Sequence, residues 1–80
     1  MQPITIFQRL RAVIADTLGI DEAQVQLSSN YTNELGCDSL DLAELQFQTE
    51  KAFGVEIPDA IAEQQQTVQE TVTYLNSLTK

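Results

Sequence analysis

Apolar residues recur at steps of three and four along three segments of this chain, and no segment alternates apolar and polar residues with a period of two. A repeat near 3.6 residues places apolar side chains on one face of an α-helix, whereas a strand requires the shorter period. With 80 residues, the chain is limited to one domain with a thin core. We therefore expect an all-α fold in which residues 1–80 form a single domain.

Each predicted helix has local start and stop signals. Proline is tolerated at a helix start, glycine is favoured just after a helix end, and Thr67–Glu70 is a capping box. The predicted helices run from near Pro3 to near Gly19, from Asp38 or Ser39 to Phe53, from a cap at Asp59 to about Glu63, and from the Thr67 capping box onward. Their inward residues are expected to include Ile6, Phe7, Leu10, Val13, Ile14, Leu18, Val68, Val72, Leu75 and Leu78.

The segment from residue 20 to residue 34 has mixed polarity and is predicted to be a long loop. Candidate caps for a short turn within it are Asp21, Ser28 and Ser29. The apolar residues expected to hold the loop against the core are Ile20, Val25, Leu27 and Leu35, and Val55 and Ile57 should pack inward before Pro58. The predicted architecture is a four-helix bundle with three main helices, a short third helix and a long first loop.

The charge balance restricts the class of partner. The net charge is −8, from 12 acidic and 4 basic residues. Without a basic patch the chain cannot displace counterions from nucleic acid, and an anionic membrane surface is disfavoured for the same reason. No stretch approaches about 18 apolar residues, so no membrane span is expected. The expected partner of this monomer is a protein with a basic docking surface, and opposite charge would speed the encounter.

The beginning of the chain and its single cysteine bear on the compartment. MQPITIFQRLRAV lacks the basic head and apolar run of a signal peptide. Cys37 is the only cysteine, so no internal disulfide can form. These features predict a cytoplasmic protein.

The second predicted helix has two apolar faces. At about 100° per residue, the stripe expected to face the core consists of Leu42, Leu45, Thr49 and Phe53. The nearly opposite side carries Leu40, Ala43 and Phe47. The short third helix could cover this second side, or these residues could be exposed as a docking patch with an acidic rim. The pattern favours the docking patch, since a helix packed on one side does not need the second set.

Ser39 lies at the start of this helix, and the residue types present exclude catalysis by the chain itself. There is no histidine, so neither a Ser–His nor a Cys–His pair can form, and no cation lies near Ser39 in sequence. Asp38 is a good N-cap and Asp41 suits the first turn. Loose divalent binding by Asp38, Asp41 and Glu44 is an alternative, but we assign no metal site. These residues indicate an acidic helical docking module in which Ser39 is either a cap or a presented group.

At these positions the sequence resembles the acyl carrier protein family. The family pattern of Leu-Gly, a variable residue and Asp-Ser-Leu-Asp is matched by Leu35–Asp41, and Glu44 follows three residues later. A second block, Phe53–Asp59, is similar to the family's Phe-Gly-Ile-Glu-Ile-Pro-Asp. The last matching pair is Thr67-Val68, so the resemblance covers nearly the whole chain.

The resemblance implies a discrete carrier with 4′-phosphopantetheine attached to Ser39. A separate phosphopantetheinyl transferase would move this group from coenzyme A, and its thiol would hold acyl groups as thioesters in fatty acid or polyketide-type biosynthesis. The implied partners are that transferase, acyltransferases, ketosynthases and related enzymes with basic docking surfaces. The resemblance assigns partner contacts to Asp38, Leu40, Asp41, Glu44, Phe47 and Glu50.

Four residues depart from the family pattern. Cys37 replaces a small or apolar residue. Its thiol could exchange with the thiol of the arm, but we favour the interpretation in which this thiol has no role. Lys51 reduces the negative charge of the acidic rim. Thr49 and Gln65 replace apolar residues that line the acyl cavity in the family. A less apolar cavity disfavours long saturated chains and leaves room for polyketide or other cargo.

Two alternatives remain. A peptidyl or aminoacyl carrier usually has His before the serine and lacks the following acid, so Asp38 and Asp41 count against it. An acidic adaptor that is never modified would share the same helices, and the mass of protein isolated from its native host separates it from any carrier.

Overall fold

The computed structural model describes residues 2–78, and its regular structure is helical. The elements are α1 (Pro3–Leu18), a 3₁₀ turn (Glu22–Gln24), α2 (Ser39–Phe53), α3 (Asp59–Gln64) and α4 (Val68–Leu78). Within the described range there is no strand, and an isolated antiparallel bridge joins Asn30 to Thr67. The predicted all-α architecture, with its short third helix and long first loop, is confirmed. No helix in this range combines the length and apolar character needed to cross a membrane.

The core lies between α1, α2 and α4, with loop residues closing it. The largest fully buried side chains are Ile6, Leu10, Ile14, Val25, Val68 and Leu75. This set confirms the inward faces predicted for α1 and α4, and it confirms Val25 as a loop anchor. From α2 only Leu45 and Thr49 are buried. The second helix therefore contributes little to the core and has most of its surface available for other contacts.

Two apolar side chains that were expected to pack inward do not. Leu27 is 40% exposed and Leu78 is 43% exposed. The loop is held here by its backbone instead, because the carbonyl of Leu27 accepts a hydrogen bond from the N–H of Gln69 at 2.9 Å. Leu78 ends α4, beyond the last inward turn at Leu75. The prediction that these two side chains are buried was wrong.

The helix caps of the short elements are the ones that the sequence predicts, with one exception. Asp21 caps the 3₁₀ turn, and Thr67 and Glu70 exchange hydrogen bonds at the start of α4, as predicted. Asp59, however, is the first residue of α3, and Pro58 occupies the cap position. The carboxylate of Asp59 instead accepts a hydrogen bond from the side-chain amide of Gln46 on α2 at 3.0 Å. A tertiary partner has thus replaced the predicted local role.

The connection from α2 to α3 is fastened to α2 by two side chains. Gln46 donates from its amide to the carbonyl of Ile57 at 2.8 Å, and the N–H of Ile57 donates to the carboxylate of Glu50 at 2.6 Å. Both backbone groups of one buried residue, Ile57, are therefore satisfied by one helix. This arrangement sets α3 alongside α2 and leaves a cavity between them.

The long loop is tied to the connection between α3 and α4. The N–H of Tyr31 donates to the carbonyl of Gln66 at 3.0 Å, and the N–H of Val68 donates to the carbonyl of Ser29 at 3.1 Å. Nearer to α2, the N–H of Cys37 donates to the carbonyl of Tyr31 at 2.9 Å. These bonds fix the path by which the chain enters α2.

Replacing Gly54 with alanine should destabilise the fold. Gly54 ends α2 with φ of 65°, in the left-handed region, and an added Cβ would meet no atom within 4 Å. The penalty is therefore that of the backbone alone, about 1 kcal/mol, which lowers the melting temperature of a domain of this size by about 4–8 °C. Thermal unfolding followed by circular dichroism measures it. Gly54→Asn should fall between the two proteins, since asparagine tolerates this conformation, and an unchanged Gly54→Ala melting temperature would contradict the role of the cap.

Candidate functional site

Ser39 is the first residue of α2, and the cap of that helix is its neighbour Asp38. The carboxylate of Asp38 accepts a hydrogen bond from the N–H of Asp41 at 2.9 Å, and Asp41 accepts one from the N–H of Asp38 at 3.3 Å. Ser39 is exposed, and its hydroxyl forms no hydrogen bond with any part of the chain from residue 2 to residue 78. Ser39 is therefore not the cap of α2, and its hydroxyl is exposed.

The residues before Ser39 hold it in place from the inside of the fold. Gly36 has φ of 70°, a conformation that glycine adopts without strain, and it directs the chain so that Cys37 is only 4% exposed. Burial raises the pKa of the Cys37 thiol, and the nearby carboxylates of Asp41 and Asp38 raise it further. The thiol is therefore protonated at neutral pH and a poor nucleophile. This favours a spectator role over thiol exchange.

The outward face of α2 is not covered. Leu40 is 79% exposed and Phe47 is 55% exposed, whereas α3 lies on the side of Gln46. The explanation in which the short third helix covers these residues is therefore wrong. The ammonium of Lys51 lies 5.9 Å from the centre of the Phe47 ring. We call Leu40, Glu44 and Phe47 the α2 patch.

The other acidic residues predicted to contact partners lie around this patch in different settings. Asp38 and Asp41 sit at its Ser39 end, each with one carboxylate oxygen used in the cap. Glu50 lies on the side facing α3, where one of its oxygens is bonded to Ile57. Between residues 2 and 78, no three acidic, cysteine or histidine side chains are grouped so that they could hold a metal ion. The alternative of divalent binding by Asp38, Asp41 and Glu44 has no support.

Ser39 also lines a cavity that lies between α2, α3 and the long loop. Its volume is about 750 Å³, within the usual range for small-molecule sites. Its apolar wall is formed by Leu42, Leu45, Ile57 and Ala62. Leu42, which was expected to face the core, is 38% exposed, because the first turn of α2 borders this cavity and not the packed interior.

Polar groups line the interior of the same cavity. The hydroxyl groups of Tyr31 and Thr71 are 2.7 Å apart, and Thr71 donates to the side-chain oxygen of Gln65 at 3.0 Å. Thr49 is buried and lines the cavity without the bond to the carbonyl of Leu45 that helical threonines often form. Thr49 and Gln65 thus both border the cavity, in agreement with the expectation of a less apolar lining.

Three residues of this region were missed by the sequence analysis. Tyr31 stands in a loop without periodicity, so nothing local marks it as buried. Thr71 lies three residues after Val68 and four before Leu75, so helical spacing on α4 could have placed it inside. Gln46 carries no local signal, because its role depends on where the chain returns after α2.

Comparison with known proteins gives two results. Residues 8–75 match the family model described as "Phosphopantetheine attachment site". The chain is also 42% identical over 71 residues to a protein of Guillardia theta named "Acyl carrier protein". That alignment covers 89% of this chain and 88% of the relative, so the similarity extends over both proteins almost in full.

The stability of the protein should depend on Tyr31 at alkaline pH. Burial raises the pKa of Tyr31 to about 12 from an ordinary value of 10.0, although the hydrogen bond with Thr71 opposes part of this rise. The neutral phenol is therefore required in the folded state, and its contribution is complete below pH 10 and is lost as the pH rises toward 12. The free energy of unfolding should fall by about 1.4 kcal/mol more between pH 9 and pH 11 in the wild type than in Tyr31→Phe. Urea unfolding at both pH values measures the difference, and parallel losses in the two proteins would show that Tyr31 titrates normally.

Proposed function

Since this chain belongs to the acyl carrier protein family, we propose that Ser39 is the attachment site of its 4′-phosphopantetheine group. Members of the family carry acyl groups on this cofactor and are not enzymes. The observation that supports Ser39 is its position as the first residue of α2, exposed and with an unbonded hydroxyl, because Asp38 performs the capping. We further propose that residues 1–80 act as one carrier domain, since one core joins α1, α2 and α4.

The surroundings of Ser39 fit a covalently attached phosphodiester. The positive dipole end of α2 and the first-turn N–H groups outside the cap favour an anion, whereas the carboxylates of Asp38 and Asp41 oppose it. When bound, the group supplies a flexible arm whose thiol holds acyl groups as thioesters. The chain has no histidine to activate the hydroxyl of Ser39, so a separate transferase would supply the activation, with coenzyme A as the donor of the group. What this chain contributes is an accessible nucleophile in a fixed place.

The α2 patch is proposed to be the contact surface for that transferase and for the enzymes that load and use the acyl group. Leu40 and Phe47 supply exposed apolar area, and Glu44 supplies charge beside them. Asp38, Asp41 and Glu50 complete an acidic rim. An apolar centre with a polar rim is the usual anatomy of a protein interface, and acidic charge would attract basic partners such as acyltransferases and ketosynthases.

For the pathway, we propose fatty acid or polyketide-type biosynthesis. Asp38 before Ser39 and Asp41 after it support this choice over a peptidyl carrier. We also propose a reducing compartment such as the cytoplasm, consistent with the free thiol of Cys37. Acyl intermediates identified by mass spectrometry on protein from the native host would test the pathway, and cell fractionation would test the compartment.

Ser39→Ala should abolish modification. Incubation of the wild type with coenzyme A, magnesium and a phosphopantetheinyl transferase should add one phosphopantetheine, because only Ser39 combines the motif with an exposed hydroxyl at a helix start. Intact-protein mass spectrometry reads the product. Ser28→Ala, which removes an exposed loop serine, should still be modified in full. A complete mass increase in Ser39→Ala would overturn the assignment, and unmodified protein from the native host would favour the adaptor alternative.

Glu44→Gln should slow the association with a basic transferase at low salt. Loss of one exposed rim charge is worth about 0.2–1 kcal/mol, which corresponds to a roughly 1.5- to 5-fold lower association rate. The difference should shrink as salt rises, because the Debye length is already about 10 Å at 0.1 M. Stopped-flow or surface-plasmon measurements provide the rates. The matched control is Glu56→Gln, an exposed acid beyond the far end of α2 that loses the same charge. Equal slowing by both variants would indicate that net charge, and not the α2 patch, steers the encounter.

A further inference from the structure

The cavity beside Ser39 offers hydrogen-bonding groups that a saturated chain cannot use. We propose that it selects acyl groups that bear a hydroxyl or carbonyl oxygen along the chain, and that Thr49 and Gln65 are the specificity-determining residues. This inference rests on the proposed attachment at Ser39. It goes beyond it by naming the chemical class of the cargo.

The direction of the buried hydrogen bonds shows which groups remain free. Thr71 uses its single hydroxyl hydrogen to donate to the side-chain oxygen of Gln65 at 3.0 Å. The hydroxyl of Tyr31 lies 2.7 Å from that of Thr71 and joins the same network. The amide hydrogens of Gln65 have no acceptor within residues 2–78. Gln65 is thus held by Thr71 through its oxygen, and its side chain forms part of the cavity wall.

Thr49 supplies a second uncommitted group. It is 4% exposed, yet its hydroxyl bonds to no part of the chain between residues 2 and 78. In a helix a threonine hydroxyl usually bonds to the carbonyl four residues earlier, whereas the oxygen of Thr49 makes no such bond and remains accessible from the cavity. Since Thr49 lines the cavity, a guest molecule or water is the available partner. This hydroxyl can both donate and accept.

The position of these groups matches a tethered guest. Thr49 lies ten residues beyond Ser39 on the same helix, or about 15 Å along its axis. Apolar side chains, including Leu42, Leu45 and Ile57, form the wall of the same cavity. An acyl chain that enters the cavity from the arm on Ser39 would therefore meet an apolar wall and also polar groups. A cargo with an apolar body and an oxygen substituent satisfies both.

The energetics favour discrimination against saturated cargo. A saturated chain that fills the cavity would remove water from Thr49 and Gln65 without replacing its hydrogen bonds. Sites built to hydrogen-bond a substrate hydroxyl reject the analogue that lacks it, because the buried polar groups are then unpaired. An oxygenated chain of the same length avoids this penalty. The preference should therefore appear as a difference in how much each cargo stabilises the fold.

The test compares cargo of equal length on the full chain. A transferase loads the protein from coenzyme A and from its octanoyl, 3-hydroxyoctanoyl and 5-hydroxyoctanoyl thioesters, and mass spectrometry verifies each product. The two hydroxyl positions place the oxygen at different depths in the cavity. At least one hydroxylated form should melt about 4–8 °C above the octanoyl form, the shift expected of one added hydrogen bond in a domain of this size. Equal or higher melting of the octanoyl form would overturn the proposal.

Substitutions then test whether Thr49 and Gln65 cause the preference for hydroxylated cargo. Thr49→Val and Gln65→Leu remove the polar atoms with little change of volume, and together they should abolish the preference or reverse it. The control is Thr5→Val, an exposed threonine on α1 outside the cavity, which should retain it. A preference that persists in the double variant would overturn the role of these residues. Absence of any mass gain would overturn the attachment at Ser39 as well, whereas full loading with equal melting would overturn the cargo selection alone.

Discussion

The reciprocal hydrogen bonds between Asp38 and Asp41 are the interaction on which the site depends. Asp38 starts α2 and takes the local bonding that a serine at a helix start would otherwise provide. Ser39 therefore follows the cap with its hydroxyl free. The two acids also place negative charge next to the proposed attachment site. One local motif thus starts the helix, leaves the hydroxyl of Ser39 exposed and surrounds it with negative charge.

The second helix serves several surfaces at once, and this explains its small share of the core. Leu45 and Thr49 face inward, Leu40 and Phe47 face outward, and Gln46 and Glu50 hold the return segment at Ile57. A helix with only one apolar stripe could not offer a docking surface and a cavity wall together. Most of the large, fully buried side chains belong instead to α1 and α4. The division leaves the outward face of α2 exposed, where the partner contacts are proposed.

The cavity combines an apolar wall with polar groups. The apolar wall at Leu45 and Ile57 would suit any acyl chain, but Thr49 and the chain of bonds from Tyr31 through Thr71 to Gln65 add polar character inside. The sequence predicted the polar positions Thr49 and Gln65 through the family resemblance. It could not predict Tyr31, because the burial of a loop residue depends on contacts with α4 that lie 40 residues away.

Local patterns in the sequence determined the four helices and the caps at Asp38 and Thr67, because these features depend on residues within one or two turns. The role proposed for Ser39 came from the family resemblance. Only the tertiary structure decided which side chains differ from the prediction in their burial or in their hydrogen-bond partner. Leu27 and Leu42 are exposed and Asp59 bonds to α2, since each outcome depends on where distant segments pass. Periodicity identifies the apolar face of a helix, but the packed neighbours determine whether that face meets the core, a cavity or solvent.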